Sequence, residues 1–407
     1  MRCQFPVLQH LSRECPPARG RRLILVTHLL PTARPFVRAL SGSFEIELVG
    51  IPYSSDTETC AQLEEDGIRV AVADSVDSLP GLALERVLAS LRSGAPVVVQ
   101  EIGGYLAEFS TELGRYPNFL GVVEDTNNGH WRYAKRDRQL RYPVVSIAQS
   151  PIKRLEDRQV GQAVAFSVDR VLRESFYDTV AGKSALILGF GSIGSACANA
   201  LRQRSARVTV HDVDPVRNAS AGIEGYNVLV ADPQRIEADV IIGATGTCSL
   251  DRRMLARIPQ GAVLFSASSK RVEIDIAALE EDFDTAPLAP DIQIYRDGDH
   301  FFYLAYGGYP VNFRDESVLG PALDAVYSEL FVCIREVAAG RAARGLRHSW
   351  PQIHQEVASA WCQTYLPTRK PSAEHLEPSM SDGAYPDRVR RPRKPRIAAT
   401  ASRRAAP

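Results

Sequence analysis

The chain has 407 residues, of which 45% are hydrophobic and 24% are charged. This composition is typical of a soluble globular protein of two or three domains, and it excludes a collagen-like, wholly disordered or disulfide-stapled chain. The 48 basic and 48 acidic residues cancel, so no whole-molecule basic field exists that would draw the chain to nucleic acid. The charges are unevenly distributed, because residues 366–407 hold ten basic and four acidic residues while residues 1–365 hold 38 and 44.

The cysteines and the N-terminus indicate where the protein works. Seven cysteines are scattered along the chain, with no C-x-x-C pair and no paired histidine spacing beside them. The sequence therefore predicts neither a disulfide framework nor a metal site. Residues 1–21 lack the apolar run of a signal peptide, and nowhere do about 18 uncharged apolar residues follow one another. We expect a cytoplasmic protein with reduced thiols and no membrane partner, in which residues 1–21 form an N-terminal extension.

Residues 22–147 alternate short β-branched runs with longer amphipathic stretches. The strand-like runs are LILVTH, FEIELVGI, RVAVA, PVVVQEIGG and YPVVSI. Strands and helices that alternate at this spacing predict a parallel sheet with helices on both faces. A long helix is predicted to follow, from about Lys153 to Tyr177.

A second α/β unit follows this helix. The segment AGKSALILGFGSIGSACANALRQRSARVTVHDVDP predicts a strand, a glycine-rich turn, a helix and a second strand within about 30 residues. Further strands are predicted at VLVA, ADVIIGATG and AVLFSAS, and after Asn312 the pattern is that of helices up to Leu366. The expected fold class is therefore α/β, with two doubly wound parallel sheets.

The glycine-rich turn of the second unit has the pattern G-x-G-x-x-G, formed by Gly189, Gly191 and Gly194 directly after an apolar strand and before a helix. The first glycine allows a tight turn, the second lets a pyrophosphate approach the backbone, and the third lets helix and strand pack closely. Asp212 ends the next strand, where a carboxylate can accept hydrogen bonds from ribose hydroxyls and repel a 2′-phosphate. The pattern predicts dinucleotide binding with NAD preferred, while Arg217 keeps NADP open.

Other polar signals are weaker when each is taken alone. Lys153 and Asp157 are four residues apart, so on a helix they share a face and can form an ion pair, although such a pair is more often a solvated surface pair. His28 follows the first strand, at the end where open α/β sheets bind ligands, but a single histidine there is more often structural. The runs EDTNNG at 124–129 and SASS at 266–269 each predict a small polar loop.

The order and spacing of these signals, from about residue 22 to residue 390, resemble the adenosylhomocysteinase family of NAD-dependent S-adenosylhomocysteine hydrolases. The motifs that match are EDTNNG (family pattern E-E-T-T-T-G), the K-x-x-x-D of residues 153–157, AGKSALILGFGSIGSACANALR, DVDP, the VEID of residues 272–275 and the YPVN that ends at residue 312. The resemblance implies a substrate domain over residues 22–162 and 312–365, interrupted by a Rossmann NAD-binding domain over residues 163–311.

The resemblance also implies a reaction. Tightly bound NAD oxidises the 3′-hydroxyl of a nucleoside-type substrate, the ketone acidifies the C4′ proton, a group at C5′ is eliminated, water adds, and the ketone is reduced again. The physical logic is that no ordinary protein base removes an unactivated sugar proton, whereas a proton next to a carbonyl is within reach.

Site residues are carried over from the family position by position. Lys153 matches the lysine that takes the 3′-hydroxyl proton, Asp157 the acid beside it, Asp125 a substrate-binding acid and His28 a catalytic histidine. Glu101 precedes the position of a family acid that handles the C4′ proton, and it is a candidate replacement. The residues assigned to NAD are Gly189, Gly191, Ser192, Ile193, Gly194, Asp212, Thr126, Asn127, Asn128, Thr245, Ser268 and Asn312.

The sequence also departs from the family pattern. The family acid before Gly-Gly is Ile102 here, and two family histidines are replaced in Ser268–Ser269 and Leu319–Pro321. The acid at the adenine edge becomes Thr32, and the asparagine after the catalytic aspartate becomes Arg158. Each missing general acid or base costs about 10²–10⁴ in rate unless it is replaced. We therefore expect oxidation at a sugar carbon to be retained while the leaving group or the base has changed.

Two alternatives stay open beside this enzyme. The first is a catalytically silent NAD-binding regulator of an active homologue, which the lost histidines favour. The second is an ordinary NAD-dependent 2-hydroxyacid dehydrogenase, which lacks counterparts of the EDTNNG and K-x-x-x-D motifs. Residues 366–391 resemble a family arm that reaches into a neighbouring subunit, which implies a homo-oligomer, a dimer or a tetramer. Residues 392–407 hold five basic residues and no acid, and we expect a disordered basic tail.

Overall fold

The structure, a computed structural model, describes residues 5–14, 20–230, 236–268 and 270–366. Its strands pair into two separate sheets. The strands are β1 (Arg22–Leu29), β2 (Glu45–Ser55), β3 (Arg69–Val72), β4 (Val97–Glu101), β5 (Phe119–Glu124), β6 (Pro143–Ser146), β7 (Ser184–Leu188), β8 (Arg207–His211), β9 (Asn227–Val228), β10 (Val240–Gly243), β11 (Val263–Ser266), β12 (Asp284–Ala289), β13 (Ile292–Asp297), β14 (His300–Ala305) and β15 (Gly345–His348). The helices are α1 (Pro6–Arg13), α2 (Ala33–Ser41), α3 (Thr57–Glu65), α4 (Leu79–Arg92), α5 (Ser110–Leu113), α6 (Asn127–Ala134), α7 (Pro151–Phe176), α8 (Ser192–Gln203), α9 (Pro215–Ile223), α10 (Arg252–Leu255), α11 (Ile276–Asp282), α12 (Pro321–Ala338) and α13 (Pro351–Tyr365).

The first sheet has seven parallel strands in the order β15-β6-β5-β4-β1-β2-β3. Successive side chains of β1 enter different cores: Leu23 and Leu25 pack with α1, α2, α12 and α13, while Ile24 and Val26 pack with α4. Because both faces of the sheet are buried at its centre, strands β1, β4, β5 and β6 are nearly continuous apolar runs in the sequence. The predicted parallel sheet with helices on both faces is confirmed.

The second sheet has eight strands in the order β12-β13-β14-β11-β10-β7-β8-β9. Strands β7–β11 and β14 pair in parallel, as predicted, whereas β12, β13 and β14 form an antiparallel meander at one edge. The predicted parallel-sheet α/β fold is confirmed, and the antiparallel meander is an addition at this edge that the sequence patterns did not predict. The physical reason is the short connections there, since Gly298 adopts φ +58° between β13 and β14 and leaves no room for a crossover helix.

The N-terminal and C-terminal segments complete the first unit. Helix α1 lies within the predicted extension, and the backbone N–H groups of Val7 and Leu8 donate to the buried carboxylate of Asp324 at 3.0 Å each. After α12, the chain returns as β15, which pairs with β6 and interrupts the predicted run of helices. The predicted domain boundary at residue 162 falls inside the uninterrupted helix α7.

Two further points concern the ends of the chain and the membrane. The predicted intersubunit arm, beyond Leu366, and the predicted basic tail lie outside the described residues. Among the residues that the structure describes, no helix has the length and apolar character needed to cross a membrane.

Candidate active site

A cleft of about 500 Å³ lies where the carboxyl ends of strands from both sheets meet. This is the edge at which open α/β sheets bind ligands. Most of the predicted site residues line it. They are His28, Asp125, Thr126, Asn127, Asn128, Lys153, Asp157, Gly191, Ser192, Ile193, Thr245, Ser268 and Asn312.

The glycine-rich turn between β7 and α8 uses each glycine differently. Gly189 has φ +98°, and a Cβ there would lie 2.7 Å from the carbonyl oxygen of Ala244. A Cβ on Gly194 would lie 2.0 Å from the carbonyl oxygen of Gly189, so helix and strand approach too closely for any side chain. A Cβ on Gly191 would meet no atom closer than Nη1 of Arg217, 3.6 Å away. The backbone at the N-terminus of α8 is therefore open to an anionic group.

Asp212 lies beneath this turn rather than in the cleft lining. Its Oδ2 accepts the backbone N–H of Phe190 at 2.6 Å, and its Oδ1 accepts that of Asp214 at 2.8 Å. Nη1 of Arg217 lies 3.4 Å from Oδ2, and Arg217 itself lines the cleft. The carboxylate therefore fixes the glycine-rich turn to the end of β8. It also places a negative charge beside Arg217, the residue that could favour NADP.

Asn312 supplies a test of whether the residues fit the nicotinamide end of NAD. Its Nδ2 donates to Oγ of Ser317 at 2.8 Å, while its buried Oδ1 has no hydrogen-bond partner among the described residues. A buried acceptor without a partner is costly, and a carboxamide N–H is the group that would satisfy it. With the open backbone at Gly191, the donor and acceptor set fits a nicotinamide dinucleotide.

Lys153 lies on the first turn of α7, where a local cap positions it. Oγ of Ser150 accepts the backbone N–H of Lys153 at 2.9 Å, which begins the helix beside the end of β5. Nζ of Lys153 lies 2.9 Å from Oδ1 of Asp125 and also contacts the carboxylate of Glu156. These three side chains form a compact charged cluster in the wall of the cleft.

The predicted ion pair between Lys153 and Asp157 is not formed, although both side chains are described. Asp157 instead lies near the side chain of Ser192 on α8, and Glu156 takes its place beside the lysine. Residues i and i+3 are also neighbours on a helix. The sequence therefore allowed an ion pair of Lys153 with Glu156 as well as with Asp157, and the prediction considered only Asp157.

Burial and charge set the protonation states in this cluster. Burial alone would lower the pKa of Lys153, but the carboxylates of Asp125, Glu156 and Asp157 outweigh it and raise its pKa above the ordinary value. Burial raises the pKa of Glu156 to about 7, against the opposing effect of Lys153. The lysine is therefore an ammonium ion, while Glu156 changes its charge near neutral pH.

His28 lies at the end of β1, where its Nδ1 is 2.5 Å from Oγ of Ser54. Burial, reinforced by the positive charge of Lys153, lowers the pKa of His28 to about 3. Its imidazole is therefore neutral at physiological pH. The ring of Phe313 packs against it with a centroid separation of 4.6 Å.

Glu101 was predicted as a site residue, but it does not line the cleft. It is fully buried at the end of β4, where its Oε2 accepts the backbone N–H of Leu106 at 3.1 Å and its Oε1 accepts the hydroxyl of Tyr133. The next residue, Ile102, lines the cleft instead. Successive side chains of a strand point to opposite faces, so an acid one position earlier does not replace the missing family acid.

The EDTNNG run was predicted to form a small polar loop. In the structure, its residues from Asn127 onward begin helix α6. Thr126 caps that helix by accepting the backbone N–H of Gly129 at 3.3 Å. Its own backbone N–H donates to Glu124 at 2.7 Å, and Glu124 also accepts the N–H groups of Gly103 and Gly104. Asn127 and Asn128 are thereby held in the cleft wall.

Thr245 and Ser268 converge on one buried acid that sequence reasoning had included only within the VEID motif. Glu273 accepts the backbone N–H groups of Thr245 at 2.7 Å and of Gly246 at 2.6 Å, and the Ser268 hydroxyl also donates to it. Ser268 thus anchors a turn at the end of β10. Ser269, at the other half of the family Gly-His position, lies outside the described residues.

Fold and cleft together define a class: an NAD-binding α/β protein with a charged lysine cluster opposite its dinucleotide turn. Residues 167–314 match the family described as S-adenosyl-L-homocysteine hydrolase, NAD binding domain. The chain is 30% identical over 290 residues to the adenosylhomocysteinase of Aeropyrum pernix, covering 68% of each protein. It is 28% identical over 334 residues to that of Sulfurisphaera tokodaii, covering 76% of this chain and 78% of the relative.

A further relative bears a different name, the S-inosyl-L-homocysteine hydrolase of Methanopyrus kandleri. It is 28% identical over 276 residues, which are 65% of this chain and 63% of the relative. The chain belongs to the adenosylhomocysteinase family. The resemblance first seen in the sequence motifs is confirmed.

Proposed function

We propose that this protein uses NAD to oxidise the 3′-hydroxyl of a nucleoside-type substrate transiently, so that a group at C5′ can be eliminated and water added. The observation that carries this proposal is the arrangement of the cleft. The Lys153 cluster, the open glycine-rich turn and the unpaired Oδ1 of Asn312 all face one space. When bound, NAD accepts the hydride that leaves the sugar carbon.

The residues of the chain divide the remaining work. The backbone at Gly191 and the N-terminus of α8 hold the pyrophosphate, and Asn312 holds the carboxamide that fixes the nicotinamide ring. Lys153, an ammonium ion before the substrate arrives, passes the hydroxyl proton on during oxidation by releasing one of its own protons, and it reverses this transfer on reduction. His28, neutral and aligned by Ser54, offers an imidazole nitrogen for hydrogen bonding near the sugar without a second positive charge.

The lining of the cleft also bears on which nucleobase the substrate carries. Its acidic lining residues are Asp125, Glu156 and Asp157 among those described, and all three surround Lys153. None of them remains for the exocyclic amine of adenine, and the family position for that task is Thr32. We therefore include inosine-type as well as adenosine-type thioethers of homocysteine among the substrates.

The test is to load the purified protein with NAD and to add S-adenosylhomocysteine, S-inosylhomocysteine, adenosine or inosine. We expect transient NADH absorbance with at least one of them, together with free thiol when the substrate is a thioether. Lys153→Met should retain NAD binding and reduce NADH formation by about 10²–10⁴-fold. NAD binding without NADH formation from any of these nucleosides would overturn the proposal in favour of a catalytically silent regulator.

A further inference from the structure

We propose that Glu156 is the final acceptor of the substrate hydroxyl proton, and that Lys153 relays the proton to it. This role rests on the proposed function. Glu156 lines the cleft, is only 7% exposed and contacts Nζ of Lys153 with its carboxylate. A proton that arrives at the lysine therefore has a buried acceptor in direct contact.

The need for such an acceptor follows from the charge of the lysine. Three carboxylates hold the pKa of Lys153 above its ordinary value, so the side chain is an ammonium ion before the substrate arrives. An ammonium group has no electron pair with which to take a proton. Lys153 can pass a proton on only if it releases one of its own at the same time.

Glu156 suits this role better than the other carboxylates. Asp157 lies near Ser192 on α8, and the ion pairs of Lys153 among the described residues are with Asp125 and Glu156 instead. Asp125 reaches the lysine from the end of β5, with its Oδ1 2.9 Å from Nζ of Lys153. Burial raises the pKa of Glu156 to about 7, which places its protonation within the working range of an enzyme.

The other charged groups around this pair come from neighbouring elements. His28 at the end of β1 is neutral, so it adds no positive charge that would keep Glu156 ionised. Burial raises the pKa of Glu329 on α12 to about 7, against the opposing hydrogen bonds of Ser349 and Ser150, while Lys153 lowers it and Asp125 raises it. Arg154 and Arg217 also line the cleft, but the charges that act most strongly on Glu156 are those of Lys153, Asp125 and Asp157.

The proton step conserves atoms and charge. NAD, when bound, would supply the hydride acceptor; as the sugar carbon is oxidised, the hydroxyl O–H bond breaks and a new N–H bond forms at Lys153. A different N–H bond of Lys153 breaks, and its proton bonds to Oε2 of Glu156. Before the step the pair is ammonium and carboxylate; afterwards it is ammonium and carboxylic acid, and reduction of the ketone reverses the sequence.

The test compares Glu156→Gln with the wild type, with Glu85→Gln on the exposed face of α4 as the matched control. Single-turnover NADH formation is followed against pH, with whichever of adenosine, inosine or their homocysteine thioethers gives the largest signal. The wild type and the control should show a rate that rises with pH and levels off above about 7. Glu156→Gln should lose that plateau and be slower near neutral pH by about 10²-fold.

Two readouts separate proton acceptance from a merely structural role. With a pH-indicator dye in weak buffer, the wild type should release fewer protons than the NADH it forms, whereas Glu156→Gln should release one proton for each. Without substrate, infrared titration of the NAD-loaded protein should show a carboxylic-acid band near pH 7 that is smaller by one carboxyl in Glu156→Gln and unchanged in Glu85→Gln.

The outcomes are distinguishable from failure of the function itself. NADH formation in Glu156→Gln with the wild-type pH profile and proton release overturns the role of Glu156 alone. An infrared band that Glu156→Gln leaves unchanged also overturns it, whatever the activity. Absence of NADH in the wild type with every nucleoside overturns the proposed function, and this role with it.

Discussion

The contact between α7 and α8 offers a sharp test of how the lysine and the dinucleotide turn are held together. Gly161 lies in α7 where the two helices touch. A Cβ there would lie 2.5 Å from Cβ of Ala196, 2.7 Å from the backbone nitrogen of Cys197 and 2.8 Å from the carbonyl oxygen of Ile193. Two of these three atoms belong to the backbone, so the clash cannot be relieved by rotation of a side chain.

The magnitude follows from two opposing terms. Replacing glycine by alanine inside a helix normally stabilises it by about 1 kcal/mol, while inserting a methyl group into a packed interior costs about 1–3 kcal/mol. Because backbone atoms meet the new methyl, we expect the upper part of that cost and a net loss of about 1–2 kcal/mol in Gly161→Ala. NAD binding should also weaken, because Ile193 belongs to the first turn of α8.

The assay is urea unfolding followed by circular dichroism, with NAD affinity measured by calorimetry. The control is Gly81→Ala in α4, where a Cβ meets nothing within 4 Å, and it should stabilise the protein by about 0.5 kcal/mol. A Gly161→Ala protein as stable as Gly81→Ala, with unchanged NAD affinity, would refute the close contact between α7 and α8.

Three further changes test other parts of the structure. Asp212→Ala removes the acceptor beneath the glycine-rich turn and should raise the Kd for NAD by about 10–10²-fold, measured by calorimetry, since a lost charged hydrogen bond costs about 1.5–3 kcal/mol. Hydrogen bonds from Arg34 and, to a smaller extent, from Arg38 lower the pKa of Asp66. The ionised Asp66 therefore stabilises the folded protein above pH about 4, and this stabilisation is lost as pH falls further. Asp66→Asn should therefore cost up to about 1 kcal/mol at neutral pH and progressively less in acid, measured by urea unfolding at several pH values. Asp324→Ala leaves the first N–H groups of α1 without their acceptor and should cost about 1–3 kcal/mol, with α1 becoming sensitive to limited proteolysis.

Sequence patterns predicted the parts of the fold in which local and tertiary signals agree. The apolar runs of β1 and β4 are buried on both faces, and the glycine spacing at residues 189–194 reflects close approach of a helix and a strand. Strands β12 and β15 were missed for the opposite reason. Most of their residues are exposed or half-buried, so they lack the apolar period that marks a strand.

The site was predictable to a similar, physically defined extent. Residues such as Gly191 and Asn312 are recognisable because their neighbours along the chain form a motif. The pairing of Lys153 with Asp125 depends on how the first turn of α7 meets the end of β5, 28 residues earlier in the chain, and no local pattern encodes that contact. For the same reason, the sequence could not show that Ile102, at the position of the family acid, would line the cleft while the neighbouring Glu101 would be buried behind it.

The positions where family histidines are missing lie apart from the lysine cluster along the chain. Ser268 follows β11 and is tied to Glu273, and Gly320 precedes α12 with φ +58°, a conformation that strains any other residue. The groups to which the proposed function assigns oxidation lie instead at the end of β5 and on the first turns of α7 and α8. A histidine at position 320 would therefore have to deform the start of α12, whereas changes there leave the lysine cluster intact. On the proposed function, changes at these two positions, which line the same cleft through Ser268 and Leu319, would alter the chemistry at the leaving group without removing the lysine cluster.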